Sequence, residues 1–164
     1  MRAALVLVAV VVLGATSLAA AQSPPGITSS SIAGIRLGMT RPQATARMTT
    51  PVRFDRLEDG YTRLASTKQR VESYFRSGTR GVAVVTTWSA RLKTAGQIGP
   101  CSTVAALKRA YGSRLVPFRQ GGRIMAYRLG RLIFTVEGGK RIGVVGLGLG
   151  TQAVYVALNA PECS

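Results

Sequence analysis

Much of this chain is written twice, and a tandem repeat constrains a fold more tightly than any single motif. At an offset of 61 residues, the stretch from Arg53 to Tyr61 lines up without a gap against the stretch from Arg114 to Gly122. The same offset pairs Arg70 with Arg131, Gly78 with Gly139, Arg80 with Arg141 and Val84 with Val145. Each copy can therefore be read against the other, and a feature present in only one of them is not needed to build the unit.

Both copies open on a helix signal. Thr40-Arg41-Pro42-Gln43 matches a capping box, with Pro42 tolerated in the first turn, and predicts a helix that stops before Pro51. Ser102-Thr103 opens the second, followed by Val104, Leu107 and Tyr111 at helical spacing and Gly112 just past its end. Alternation with period two then marks half-buried strands. Val71, Ser73 and Phe75 fall on one face, against Glu72, Tyr74 and Arg76 on the other. In the second copy Leu132, Phe134 and Val136 point inward, and Ile133, Thr135 and Glu137 outward. Turns at Ser77–Arg80 and Gly138–Arg141 lead into returning strands, Val82–Trp88 and Ile142–Leu149, and a last strand is expected over Ala153–Leu158. The fold class expected is α+β. Two tandem repeats, 32–95 and 96–164, would each be a short helix followed by a small antiparallel β-meander. Together they would form one compact domain, a continuous sheet of about eight strands with its helices on one face.

The ends of the chain speak about compartment. Met1-Arg2, the apolar run Ala3–Leu13 and the small residues Ala19-Ala20-Ala21 read as a signal peptide over 1–21, cleaved after Ala21. An uncleaved membrane anchor is the alternative, since the segment nearly reaches the ~20 residues of a span. Residues 22–31, rich in Ser, Pro and Gly, read as a flexible leader. No cysteine stands directly after the cleavage site, so a lipoprotein anchor is not indicated. Cys101 and Cys163 both lie in the exported part and are expected to form one disulfide. The expected location is secreted or extracytoplasmic, in a bacterial cell envelope, with no stable membrane span after cleavage.

Charge narrows the partners. There are 22 basic residues against 6 acidic ones, a net charge of +16, and 18 of the basic residues are arginine. Such a surface attracts anions of many kinds, although a merely solvated arginine-rich surface has the same composition. The arginines spread along the chain and no DNA-reading motif accompanies them, so no nucleic-acid partner is expected.

Chemistry is limited mostly by what is missing. Without histidine the Ser-His and Cys-His nucleophile systems and most zinc sites are unavailable. Lys93-Thr94-Ala95 faintly matches the K-T-G box of penicillin-recognising enzymes, which leaves a Ser-Lys hydrolase as a third reading, without an S-x-x-K to support it. Asp55, Glu58 and Asp59 form an acidic cluster that could hold calcium, but the aligned residues Val116, Arg119 and Gln120 favour a charge-balanced turn. Gly143 and the run from Gly146 to Gly150 look like a dinucleotide loop, yet the expectation of a strand rather than a helix after them argues for close packing or a partner's approach. No catalytic residue, metal ligand or cofactor is assigned.

Ile35-Arg36-Leu37-Gly38-Met39-Thr40, leading straight into a capped helix, resembles the start of secreted domains related to beta-lactamase inhibitor protein. It is similar also to the start of the SmpA/OmlA (BamE-like) envelope lipoproteins. The resemblance implies binding to another protein through an exposed sheet face, without catalysis. The chain departs from those families in having one possible disulfide instead of one per repeat, and no lipidated cysteine. The outward face would present Tyr74, Arg76, Val85, Thr87, Thr135, Gly146 and Gly148 as candidate partner-binding residues. The expected role is a secreted non-catalytic binding module for an envelope or extracellular protein. The alternative is a structural envelope protein held by charge to anionic cell-wall polymers.

Overall fold

The computed structural model describes residues 26–58 and 60–163. The expected signal peptide, residues 22–25 of the expected leader, and Asp59 lie outside the described residues.

Packed structure begins earlier than the leader boundary suggested. Ile27 bridges to Ile32 and is buried, so the chain from Gly26 onward belongs to the fold. A hairpin follows, β1 (Ser31–Ile32) and β2 (Ile35–Arg36), turned by Ala33 and Gly34 at φ 51° and 77°. Helix α1 (Arg41–Thr45) starts as the capping box requires, with the Thr40 amide donating to Gln43 Oε1 at 2.9 Å. Four strands come next: β3 (Arg53–Arg56), β4 (Tyr61–Ser66), β5 (Val71–Arg76) and β6 (Val82–Thr87). Helix α2 (Val104–Tyr111) is capped by Thr103 Oγ1, which accepts from the Ala106 amide at 3.1 Å, and ends at Gly112 with φ 52°. Then come β7 (Val116–Gln120), β8 (Arg123–Leu129), β9 (Leu132–Glu137) and β10 (Arg141–Gly148), and finally helix α3 (Gly150–Leu158).

The eight strands β3–β10 form one antiparallel sheet in the order β3-β4-β5-β6-β10-β9-β8-β7. Its centre is the β6–β10 pair, where Gly146 faces Thr86 and Gly148 faces Val84. One face carries the larger core, in which Val71, Val85, Phe134, Val145 and Leu147 meet Ile32 and Ile35 of the hairpin, Ala44 of α1 and Leu107 of α2. The other face carries a second core, where Tyr74, Val84, Ala126 and Ile133 meet Ala153, Val154 and Ala157 of α3. Burying the central strands on both sides is what makes them apolar at successive positions.

The expected α+β pair of helix-plus-meander repeats is thereby corrected to a mainly β architecture. Helix α1 is five residues long, about 7.5 Å at the rise of an α-helix, too short to roof more than about two strands. The β1–β2 hairpin fills that part of the core, and the first half alone has such a hairpin. The expected last strand, Ala153–Leu158, is instead helix α3, and it lies on the face opposite α1 and α2, so the helices do not share a face. Its buried residues are Ala153, Val154, Val156 and Ala157, which include the i, i+3 and i+4 spacing of a helix. By propensity alone, the β-branched and aromatic run Val154-Tyr155-Val156 favours a strand.

The disulfide between Cys101 and Cys163 is present, with Cα atoms 5.6 Å apart. It ties the segment after α3 to the residues leading into α2. Among the described residues no helix is long and apolar enough to cross a membrane. A disulfide fits an oxidising, extracytoplasmic environment.

Candidate functional site

The seven residues expected on one open sheet face do not form a common surface. Val85 and Thr87 are fully buried, Val85 in the core beneath the hairpin and α2, and Thr87 Oγ1 donating to the Arg70 carbonyl at 2.8 Å. Tyr74 belongs to the core on the α3 side. Gly146 and Gly148 lie beneath α3. A Cβ on Gly148 would come 2.5 Å from Ala153 Cβ, and one on Gly146 would come 3.1 Å from Ala157 Cβ. Thr135 is buried inside a β-bulge, its Oγ1 accepting from the Val144 amide at 2.8 Å. Arg76 alone is exposed. The open recognition face is thus corrected: α3 covers it, a cover hidden in a stretch that reads as a strand.

A helix does follow the glycine run, contrary to the expectation used to set aside a phosphate loop. Gly146 and Gly148 nevertheless sit in the β10 ladder, and the Gly148 amide donates to the Arg131 carbonyl at 3.0 Å. They are a seat for a helix, not a cradle for an anion.

Beside α3, the sheet carries a charged ladder in which Glu72 and Tyr74 are buried and Arg63 and Asp55 are partly exposed. Arg63 on β4 lies directly across from Asp55 on β3 and from Tyr74 on β5. Its Nη2 donates to Asp55 Oδ2 at 2.8 Å and its Nη1 to Glu72 Oε1 at 3.3 Å, while Tyr74 Oη donates to Glu72 Oε2 at 2.5 Å. Burial pushes the Glu72 carboxyl above its ordinary range, opposed by the Tyr74 bond and the Arg63 charge. Burial, reinforced by Glu72, also pushes the Tyr74 phenol upward. This accounts for one residue of the acidic cluster and one of the expected partner-binding face: Asp55 is an ion-pair partner of Arg63, and Tyr74 anchors Glu72. Glu58 is exposed.

The ladder makes a pH-dependent prediction. A carboxyl raised in the fold favours the folded state most when protonated, and that contribution is lost as pH rises through its raised value. Tyr74→Phe removes a bond that helps hold Glu72 ionised and so raises the carboxyl further. The variant is expected to lose about 1–2 kcal/mol near neutral pH and less in acid. Urea unfolding across a pH series checks this, and a deficit that stays constant with pH would contradict it.

A different part of the sheet is open. The β8–β9 ladder stops at Ala126↔Thr135, whereas β8 continues to Arg123 against β7 and β9 continues to Glu137 against β10. The strands fork there because a bulge flanks each side. Met125 is the extra residue of β8 against β7, and the Ile142–Val145 stretch of β10 carries an extra residue against β9. Bulges increase twist and bend the strand that carries them, so the β7–β8 tip swings away from β9. Cavities of about 810 Å³ and 360 Å³ open at the fork, and Met125 and Val136 line both.

The larger cavity lies between α2 and β8. Ile124, Tyr127 and Val136, with Val104 of α2, form its apolar floor, and Lys108, Arg119 and Arg123 stand around it. All three cations are exposed, and none is ion-paired with a carboxylate among the described residues. Lys108 Nζ lies 5.7 Å from the Tyr127 ring centre, and Arg119 donates to the Gly122 carbonyl at 3.2 Å, which braces the turn between β7 and β8. A smaller hollow of about 300 Å³ at the far end of β6 collects Lys68, Arg70, Arg91 and Ser89. Both features depend on bulges and turns, which leave no clear periodic trace, so sequence reasoning missed them. The signal that was available was Arg119 and Arg123 bracketing Gly121-Gly122.

Lys93 lines a third cavity, of about 750 Å³, together with Ser29 and Tyr111. Its ammonium donates to the Pro100 carbonyl at 3.2 Å and to Ser102 Oγ at 3.4 Å, and Ser102 Oγ also accepts from the Gly99 amide. Burial lowers the Lys93 pKa. Ser102 is not among the residues lining that cavity, and Lys93 fastens the turn before α2. Comparison of the chain with protein-family models, with curated proteins and with solved structures finds no match.

Proposed function

We propose that this protein is an extracytoplasmic, non-catalytic binding module that holds an anionic polymer of the bacterial cell envelope. The observation that carries the reading is the fork cavity, where three cations, none paired with a carboxylate among the described residues, surround one opening. The second cationic hollow suits a ligand whose charge repeats along its length, because two separated sites on one chain reinforce each other. The net charge of +16 supplies long-range attraction, and the disulfide fits the compartment in which such polymers lie.

Retention on purified anionic wall polymer is the test. Binding is expected to fall steeply between roughly 0.1 M and 1 M salt, as the screening length contracts from about 10 Å to about 3 Å. Salt-indifferent retention would overturn the reading. The second reading, a Ser-Lys hydrolase, is favoured by the 3.4 Å approach of Lys93 Nζ to Ser102 Oγ. Against it, the lysine is already committed to the Pro100 carbonyl.

A further inference from the structure

We infer that the larger fork cavity takes the lipid end of its ligand: an anionic head group carrying a single apolar chain. This rests on the polymer-binding reading and sharpens it, since the partner becomes a lipid-linked anionic polymer instead of a free one.

The lining has two distinct parts. A bare anion site needs donors and charge, and Lys108, Arg119 and Arg123 supply both. It has no use for a floor of Ile124, Tyr127 and Val136, open at the mouth and continuous with the larger core. Apolar surface left next to water is unfavourable, and an acyl chain laid on it recovers the hydrophobic contribution. The cavity's volume of about 810 Å³ falls within the range of small-molecule sites, roughly 300–1,000 Å³. The charge at the mouth selects the sign of the head group. A cationic or neutral amphiphile would gain the floor and lose the rim.

The fork also explains why a slot opens at this level of the sheet. Where strands pair fully, as β4 and β5 do from Tyr61↔Arg76 to Ser66↔Val71, no slot opens between them. The β8–β9 ladder covers only four residue pairs, and beyond it Ile124 and Val136 lie on diverging strands, next to Tyr127 at the second pair of the ladder. Met125 stands at the divergence and lines the cavities on both sides, and its unbranched thioether side chain adapts readily to a guest's shape.

The experiment is calorimetric titration of the full chain with dodecyl phosphate below its micelle concentration. Octyl phosphate, inorganic phosphate and dodecyltrimethylammonium serve as the other probes. Saturable one-to-one binding of dodecyl phosphate is expected, at least ~10-fold tighter than octyl phosphate, because four more methylenes reach the floor. Inorganic phosphate is expected to bind at least ~10-fold more weakly again, and the cationic amphiphile not to compete. Arg119→Ala with Arg123→Ala, both exposed and outside the core, should weaken dodecyl phosphate ~10-fold or more while leaving the thermal transition in place. The inference is overturned if chain length makes no difference, if the cationic probe binds as well, or if the double variant binds as tightly as the parent. The failures separate cleanly. Salt-sensitive retention on wall polymer without chain-length dependence would refute the lipid inference alone. Tight dodecyl phosphate binding with no polymer retention would refute the polymer reading.

Discussion

Gly148→Val is expected to destabilise the protein by about 3 kcal/mol, lowering the midpoint of thermal unfolding by roughly 10 °C. Propensity argues for the opposite result, since valine is a better strand former than glycine by up to about 1 kcal/mol. Space decides between them. The first carbon of the new side chain would lie 2.5 Å from Ala153 Cβ, with Val84 methyls at 3.4 Å and 3.5 Å. Neither Cβ can move without its backbone, so helix α3 must lift from the sheet. Gly146→Ala meets Ala157 Cβ at 3.1 Å and should cost less, because the helix need yield only a few tenths of an ångström. Combining Gly148→Val with Ala153→Gly should recover part of the loss. Thermal and urea unfolding measure all three variants, and a Gly148→Val protein as stable as the parent would mean that α3 does not sit on β10.

Replacing Cys101 and Cys163 with serine is expected to cost roughly 4 kcal/mol, from the entropy returned to an unfolded chain freed of a 62-residue cross-link. The first structural consequence should be local. Beyond α3 the chain packs Ala160 against Trp88 and Val144, and the disulfide closes just after that contact. Trp88 is the sole tryptophan and is buried, which makes its fluorescence a reporter of the segment's release. Reduction should shift its emission to the red before the sheet unfolds. Simultaneous loss of the tryptophan signal and the sheet signal would show that the segment does not come away independently.

The two variants also show what the sequence made legible. Caps, turns and strand alternation are local physics. The capping box at Thr40, the Thr103 cap, the Gly112 stop, and the strands β5, β6, β9 and β10 fell close to where the pattern put them. The identity of residues 150–158 was not local. Ala153 to Leu158 suits a strand until the glycines of β10 create a seat for a helix, and only the assembled sheet places those glycines below it. That single misreading opened the face on which Tyr74, Thr135, Gly146 and Gly148 were expected to meet a partner. The two cysteines could be paired from their number and compartment alone, because two cysteines admit one intramolecular bridge. The fork could not be foreseen, since it arises from two bulges in different strand pairs acting at one level of the sheet.

With the centre of the sheet covered on both faces, the proposed recognition site is the cation-rimmed cavity, and a matched pair of charge reversals tests that proposal. One variant carries Lys108→Glu, Arg119→Glu and Arg123→Glu. The other carries Arg76→Glu, Arg80→Glu and Arg131→Glu, equally exposed residues outside the cavity, so both lose the same net charge. Measured as retention on anionic wall polymer at about 0.1 M salt, the first should bind ~10-fold or more weakly than the parent and the second nearly as well as the parent. Equal losses in the two variants would mean that diffuse surface charge, and not the cavity, holds the polymer.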